Sequence, residues 1–257
     1  MMLLDLHVHT KFTQPWGAIA GGVLTHKEAI TRARAAGLDA ICFTERFRPL
    51  GIEEALQAGR DESFPVFIGV DIPTLRGRLL FIPEDPKNAE FLAAAWADRV
   101  VPIAAEEIAA QLAPLGVVIV VTPYLREAGR GAMCDRAFML QNIHGVEAFT
   151  GFSGHDETSE ELSVELAMAR GLAVVGGSDV TDDPSAIGRS ATLLRVAARS
   201  QAHLCELLRG GDAWSAQLGR QPAPVSEGRF DGPRRDDGPR ERRGDRPDRG
   251  DRRGPRR

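Results

Sequence analysis

Cysteine is scarce in this chain of 257 residues: there are three, at positions 42, 134 and 205, odd in number and far apart. That pattern suits a reducing compartment better than a disulfide framework, and a cytoplasmic location is expected. The chain has no C-x-x-C, which disfavours a thiolate zinc site. Long apolar runs are missing too. None approaches the ~18 consecutive residues of a membrane helix. The opening residues, Met1-Met2-Leu3-Leu4-Asp5, lack the charged region and apolar stretch of an export signal, so no membrane association is expected. Neither G-x-G-x-x-G nor G-x-x-x-x-G-K-[ST] follows any apolar run, which disfavours dinucleotide or P-loop binding.

Apolar side chains are also almost absent from one stretch. Residues 229–257 contain 12 Arg, 7 acidic residues, 5 Gly, 4 Pro and one apolar residue, Phe230. Such a segment cannot bury enough surface to offset its conformational entropy, so a disordered tail is expected over 221–257, with the folded domain over 1–220. The net charge of −4 then divides into +5 on 229–257 and −9 on the rest.

What is present has a regular rhythm. Short Val, Ile and Leu runs at Leu3–Val8, Ala40–Phe43, Pro65–Val70, Arg78–Ile82, Gly116–Val121, Gly145–Phe149, Leu172–Val175 and Ala191–Val196 read as strands. Between them lie segments of helical period at Thr25–Ala36, Ile52–Ala58, Ala89–Ala97, Ala105–Leu112 and Ser159–Arg170, with a last one at Gln201–Leu208. Thr25 and Glu28 form a capping-box pattern and Gly37 a stop. Strand-helix alternation of this kind predicts the α/β class and a parallel sheet, closed as a barrel rather than open.

The most informative hexapeptide is Asp5-Leu6-His7-Val8-His9-Thr10. At period two, Asp5, His7 and His9 project from one strand face, and two imidazoles so spaced reach a single cation. The plain alternative is a pair of hydrogen-bonded core histidines. Further polar groups follow other strands: Thr44-Glu45-Arg46, Asp71, Thr122-Pro123 and Ser178-Asp179. In a parallel barrel these carboxyl ends share one rim, where active sites are built. His155, in a loop on that rim, is a further candidate ligand, whereas His26 and His203 are expected to be solvated and His144 to be structural.

These blocks resemble, in order, the motifs of the PHP family, the polymerase and histidinol phosphatase domain group. Asp5–Thr10 matches the first motif and Gly37–Arg46 is similar to the second. Pro65–Ile72 and Val121–Tyr124 are similar to the third and fourth, and Gly177–Thr181 with Ile187–Thr192 to the last. The resemblance covers roughly residues 3 to 196. It implies a distorted (β/α)7 barrel, two or three divalent metals at the rim, and hydrolysis of phosphate esters. It also locates departures. Arg46, Arg78, Thr122 and Thr181 stand where the family has histidines, and no carboxylate follows the first motif between Lys11 and Gly17. His7, His9, Asp71 and Asp179 remain at matching ligand positions, with Asp5 and Glu45 close by.

A catalytic metal site needs about three protein ligands and an open position. The surviving set supplies at most one such site, for Mn, Zn, Fe or Mg, and the alternative is no metal at all. A fixed guanidinium repels a nearby divalent ion, so Arg46 and Arg78 are expected either to pair with the rim acids in place of cations or to contact a phosphate. The expected activity is therefore phosphoesterase-like hydrolysis, weak or lost. The alternative is a non-catalytic protein that binds a phosphorylated small molecule, a nucleotide or a protein partner. A third expectation, RNA association through the Arg-rich tail, is weakened by the interspersed acids.

Overall fold

The computed structural model describes residues 1–15, 20–48, 50–89, 103–125, 133–151 and 157–218. The tail expected over 221–257, His155, and all but the first residue of the helix expected at Ala89–Ala97 lie outside these residues.

One nine-stranded sheet organises the chain: β1 (Met2–Val8), β2 (Ala40–Arg46), β3 (Val66–Pro73), β4 (Arg78–Pro83), β5 (Gly116–Val121), β6 (Gly145–Thr150), β7 (Ala173–Gly177), β8 (Ser190–Leu194) and β9 (Ala213–Gln217). Their order is β7-β6-β5-β4-β3-β2-β1-β8-β9. The sheet coils into a nearly closed barrel. At the seam the Thr192 hydroxyl takes over from a ladder, accepting from Gly176 N–H at 3.0 Å and donating to its carbonyl at 2.8 Å. Val8 bridges Val180 beside it.

Two features differ from the parallel barrel expected. β4 runs antiparallel to both β3 and β5, and β8 antiparallel to both β1 and β9. The turn over 74–77 is too short for a parallel crossover, so the chain must reverse after β3. β9 has no counterpart among the expected strands, because Ala213-Trp214-Ser215-Ala216-Gln217 is a weak strand signal that its pairing with β8 rescues.

The helices are α1 (His26–Ala35), α2 (Ile52–Asp61), α3 (Ala105–Leu112), α4 (Arg136–Met139), α5 (Glu157–Arg170) and α6 (Gln201–Arg209). α1 begins as its sequence requires: Thr25 accepts from Glu28 N–H at 3.2 Å, while the Glu28 carboxylate accepts from Thr25 N–H at 2.8 Å. It ends at Gly37, φ +80°, with Leu38 N–H bonded to Ala33 O and Gly37 N–H to Arg34 O, the doubly bonded glycine stop.

Alternation along the strands divides the apolar side chains between two cores. Ile41, Phe43, Ile68, Val70, Phe81 and Val118 face outward, under α1, α2, α3 and α5. Leu6, Cys42, Phe67, Leu80, Ile119 and Val175 face inward and meet Leu204, Cys205 and Leu208 of α6. Each fully buried side chain of this size contributes about 1.5–3 kcal/mol. The inward core is the floor on which the polar rim stands.

Candidate metal centre

The site begins with a slip in β1. Asp5 aligns with Ile41 and Val8 with Phe43, so three steps along β1 match two along β2. Such a bulge breaks the period of two. Asp5 therefore does not share a face with His9, contrary to the strict alternation expected. Its Oδ1 instead accepts from the N–H groups of His7, at 3.1 Å, and Ser178, at 2.8 Å, pinning β1 to the end of β7. Burial pushes the Asp5 carboxyl up to about 7, against the pull of those hydrogen bonds.

His7 and His9 are fully buried at the rim. Parallel pairing of β2 and β3 sets Arg46 beside Asp71. Because β4 runs the other way, its first residue, Arg78, arrives at the same end. The Arg46 Nε donates to Asp71 Oδ2 at 3.3 Å, and Arg78 Nη1 donates to Asp71 Oδ2 and Asp179 Oδ1, each at 3.1 Å. Arg78 Nη2 closes a second bond to Asp179 Oδ2. Asp179 leaves β7 in the left-handed region, φ +49°, which Asp tolerates better than most residues. Both arginines thus pair with rim acids, as their sequence positions suggested.

The two imidazoles are oriented differently. His7 Nδ1 lies 3.0 and 3.1 Å from the Glu147 carboxylate oxygens. Gly177 makes room for this contact: a Cβ there would come within 2.5 Å of His7 Cβ and 2.9 Å of Glu147 Oε1. His7 Nε2 sits 3.2 Å from Asp179 Oδ1 but outside hydrogen-bond geometry. His9 Nε2 also lies 3.2 Å from Asp179 Oδ1, and 3.7 Å from Asp71 Oδ2. Burial would depress His7, but the charges of Asp179 and Glu147 outweigh it and raise the imidazole to about 9. For His9 burial prevails over its acidic neighbours, and it falls to about 4. Burial would also raise both aspartates, yet Arg78 and the imidazoles hold Asp71 below the ordinary carboxylate range and Asp179 well below it.

Among the described residues, His7, His9 and Asp71 form the set able to hold a metal, with ligand atoms within 4.8 Å of one another. Two buried atoms of this set, His7 Nε2 and Asp71 Oδ1, have no hydrogen-bond partner among the described residues, which fits a divalent ion as the missing neighbour. Two imidazoles and a carboxylate are also a common donor set for zinc, iron and manganese. Asp179 stands next to the three, but Arg78 holds both its oxygens. Glu45, the other acid near the rim, is turned to different work: it accepts from Thr10 N–H at 3.2 Å and from the hydroxyls of Thr10 and Thr13.

Sequence reasoning overlooked Thr13, whose loop position carries no periodic signal, and misjudged His26. That ring is buried because Phe12, beyond the end of β1, stacks on it at 5.3 Å and Phe43 of β2 meets it edge-on at 4.6 Å. His144 is structural as expected, its Nδ1 accepting from Val118 N–H at 3.1 Å.

No family model and no curated protein matches the chain. Solved structures do. A protein of Bifidobacterium adolescentis provisionally named a metal-dependent phosphoesterase superposes with TM-score 0.55 at 17% identity, over 68% of this chain and 86% of its own. PsfC of Pseudomonas syringae gives 0.59 at 18%, over 85% and 92%. An amidohydrolase of Chromobacterium violaceum, with bound sulfate and no metal, gives 0.51 at 17%, over 69% and 87%. At these identities the likeness establishes a shared barrel-type fold.

Proposed function

We propose that this chain is a metal-dependent phosphoesterase of the PHP type, with a distorted barrel of that family, whose centre is reduced to one divalent ion and whose hydrolytic turnover is weak. One observation carries the reading: three ligand-type side chains converge with two buried atoms left without partners, while a guanidinium already occupies the neighbouring carboxylates. His7, His9 and Asp71 hold the ion, and Glu147 orients His7 from behind. A divalent ion so held supplies Lewis acidity and lowers the pKa of bound water. Arg46 keeps one buried nitrogen, Nη2, without a partner among the described residues, a donor of the kind that phosphate oxygens take. The motif resemblance and the phosphoesterase among the structural neighbours favour phosphate esters as substrate class. A panel of phosphomonoesters with and without Mn²⁺ tests this. Metal-dependent hydrolysis lost in His7→Ala is expected, and turnover identical in wild type and His7→Ala would refute the assignment.

A second reading has its own observation. Arg78 bridges Asp71 and Asp179 much as a second cation would, so the rim acids are largely neutralised without metal. On that reading the centre is a structural remnant and the protein acts by binding a phosphorylated small molecule, a nucleotide or a protein partner. Wild-type protein without bound divalent metal after exposure to Mn²⁺ and Zn²⁺ is its expected outcome. RNA association through the residues beyond 220 is a separate proposal, tested by truncation at Glu227: unchanged affinity for RNA would eliminate it.

A further inference from the structure

The Thr13 hydroxyl has three polar neighbours and a single proton. The Arg46 N–H donates to it at 3.2 Å, the Glu45 carboxylate lies against it, and His9 Nδ1 is 3.1 Å away. A backbone N–H can only donate, so Thr13 must accept from Arg46. Its proton is then shared out between Glu45 and His9. The surroundings of Glu45 decide the matter. Thr10 N–H and Thr10 O–H also point at that carboxylate, and Thr10 Oγ1 in turn accepts from Phe12 N–H at 3.4 Å. Thr10 N–H can only donate and the Thr10 hydroxyl takes its other bond from Phe12 N–H, so the Glu45 carboxylate, when ionised, accepts throughout and draws the Thr13 proton. The remaining lone pair of Thr13 faces His9 Nδ1, which must carry the ring proton.

We infer that Thr13, with its hydroxyl committed to Glu45, is a positioning residue that fixes His9 in the Nδ1–H tautomer and presents a bare Nε2 towards His7 and Asp71. The opposite tautomer would let Nε2 donate to Asp179 at 3.2 Å. It would, however, set a bare Nδ1 against the Thr13 oxygen with no proton between them, whereas the acceptor pair that the Nδ1–H tautomer leaves, Nε2 facing Asp179 Oδ1 at 3.2 Å, is offset by the two bonds Asp179 receives from Arg78 and is where a cation would sit. Glu45 thereby changes role, from candidate ligand to the anchor of a ligand's orientation. The inference builds on the reading of His9 as a metal ligand, but the tautomer is a property of the metal-free chain and is measured without metal.

Long-range proton–nitrogen correlation spectra of the metal-free full chain report which ring nitrogen of His9 is protonated. Wild type is expected to show Nδ1–H. Thr13→Val, which keeps the shape and removes the hydroxyl, should shift His9 towards Nε2–H and weaken Zn²⁺ binding by about 10–100-fold, the usual cost of losing such a supporting contact. Thr13→Ser should restore both, which separates orientation from general loss of packing. An Nε2–H tautomer in wild type, or an unchanged Nδ1–H tautomer in Thr13→Val, would overturn the inference. Absence of Zn²⁺ binding in a wild type with the Nδ1–H tautomer would count against the metal reading and leave the tautomer assignment standing.

Discussion

Arg78 is the residue on which the centre turns, since its guanidinium hydrogen-bonds both Asp71 and Asp179. Removing one partner of a buried ion pair leaves a buried charge uncompensated, at a cost of about 3–5 kcal/mol. Arg78→Ala should therefore lower the denaturation midpoint strongly without metal, and added Mn²⁺ should recover more stability in the variant than in wild type. Equal metal-induced shifts in the two proteins would contradict the idea that guanidinium and metal compete for the same carboxylates. Asp5 gives a pH test. Burial raises its carboxyl to about 7 from the ordinary 3.8, so the folded state binds a proton that the unfolded state has released between those values. The contribution of Asp5 to stability is full below the lower value and is lost as pH rises through the upper one. Asp5→Asn should gain stability relative to wild type as pH goes from about 4 to 7. A difference independent of pH across that window would show that Asp5 stays ionised. At this scale the imidazole pair was legible because its spacing is short and its strand strongly apolar. The roles of Asp5 and Thr13 were not, since a one-residue bulge and an irregular loop leave no periodic trace.

At the scale of elements, two departures from regularity build the rim. The bulge in β1 turns Asp5 away from the face of His9, and the reversal of β4 carries Arg78 to the end where parallel strands finish. Alternating apolar runs revealed that Arg78–Ile82 is a strand, but its direction depends on the length of the preceding turn. The capping box and glycine stop of α1 could be read directly because both signals act within a few residues. β9 was missed because it is held by its partner rather than by its own composition. The end of β7 offers a test of close packing. In Gly177→Ala the new methyl meets His7 Cβ and the Glu147 carboxylate, so the strand or the pair must shift. A loss of about 1–3 kcal/mol is expected from such overpacking, with weakened metal binding because Glu147 no longer aligns His7. Denaturant unfolding with unchanged midpoint would argue that this contact is slack.

For the molecule as a whole, the rhythm of strands and helices was enough to predict an α/β barrel-like body, because inward and outward cores both leave their mark as apolar alternation. The antiparallel strands, and the seam closed by the Thr192 hydroxyl instead of a ladder, depend on contacts far apart in sequence and could not be foreseen. The charge division of the sequence has its counterpart inside the barrel, where the rim acids are met by Arg46, Arg78 and the imidazoles rather than left to solvent. The central claim is that this balance leaves place for one divalent ion on His7, His9 and Asp71. Metal content after equilibrium dialysis against Mn²⁺ or Zn²⁺, measured for wild type and His7→Ala side by side, tests it most directly. About one ion per wild-type chain and background in the variant is the predicted result. Wild type at the variant's level, or two ions in wild type, would contradict it.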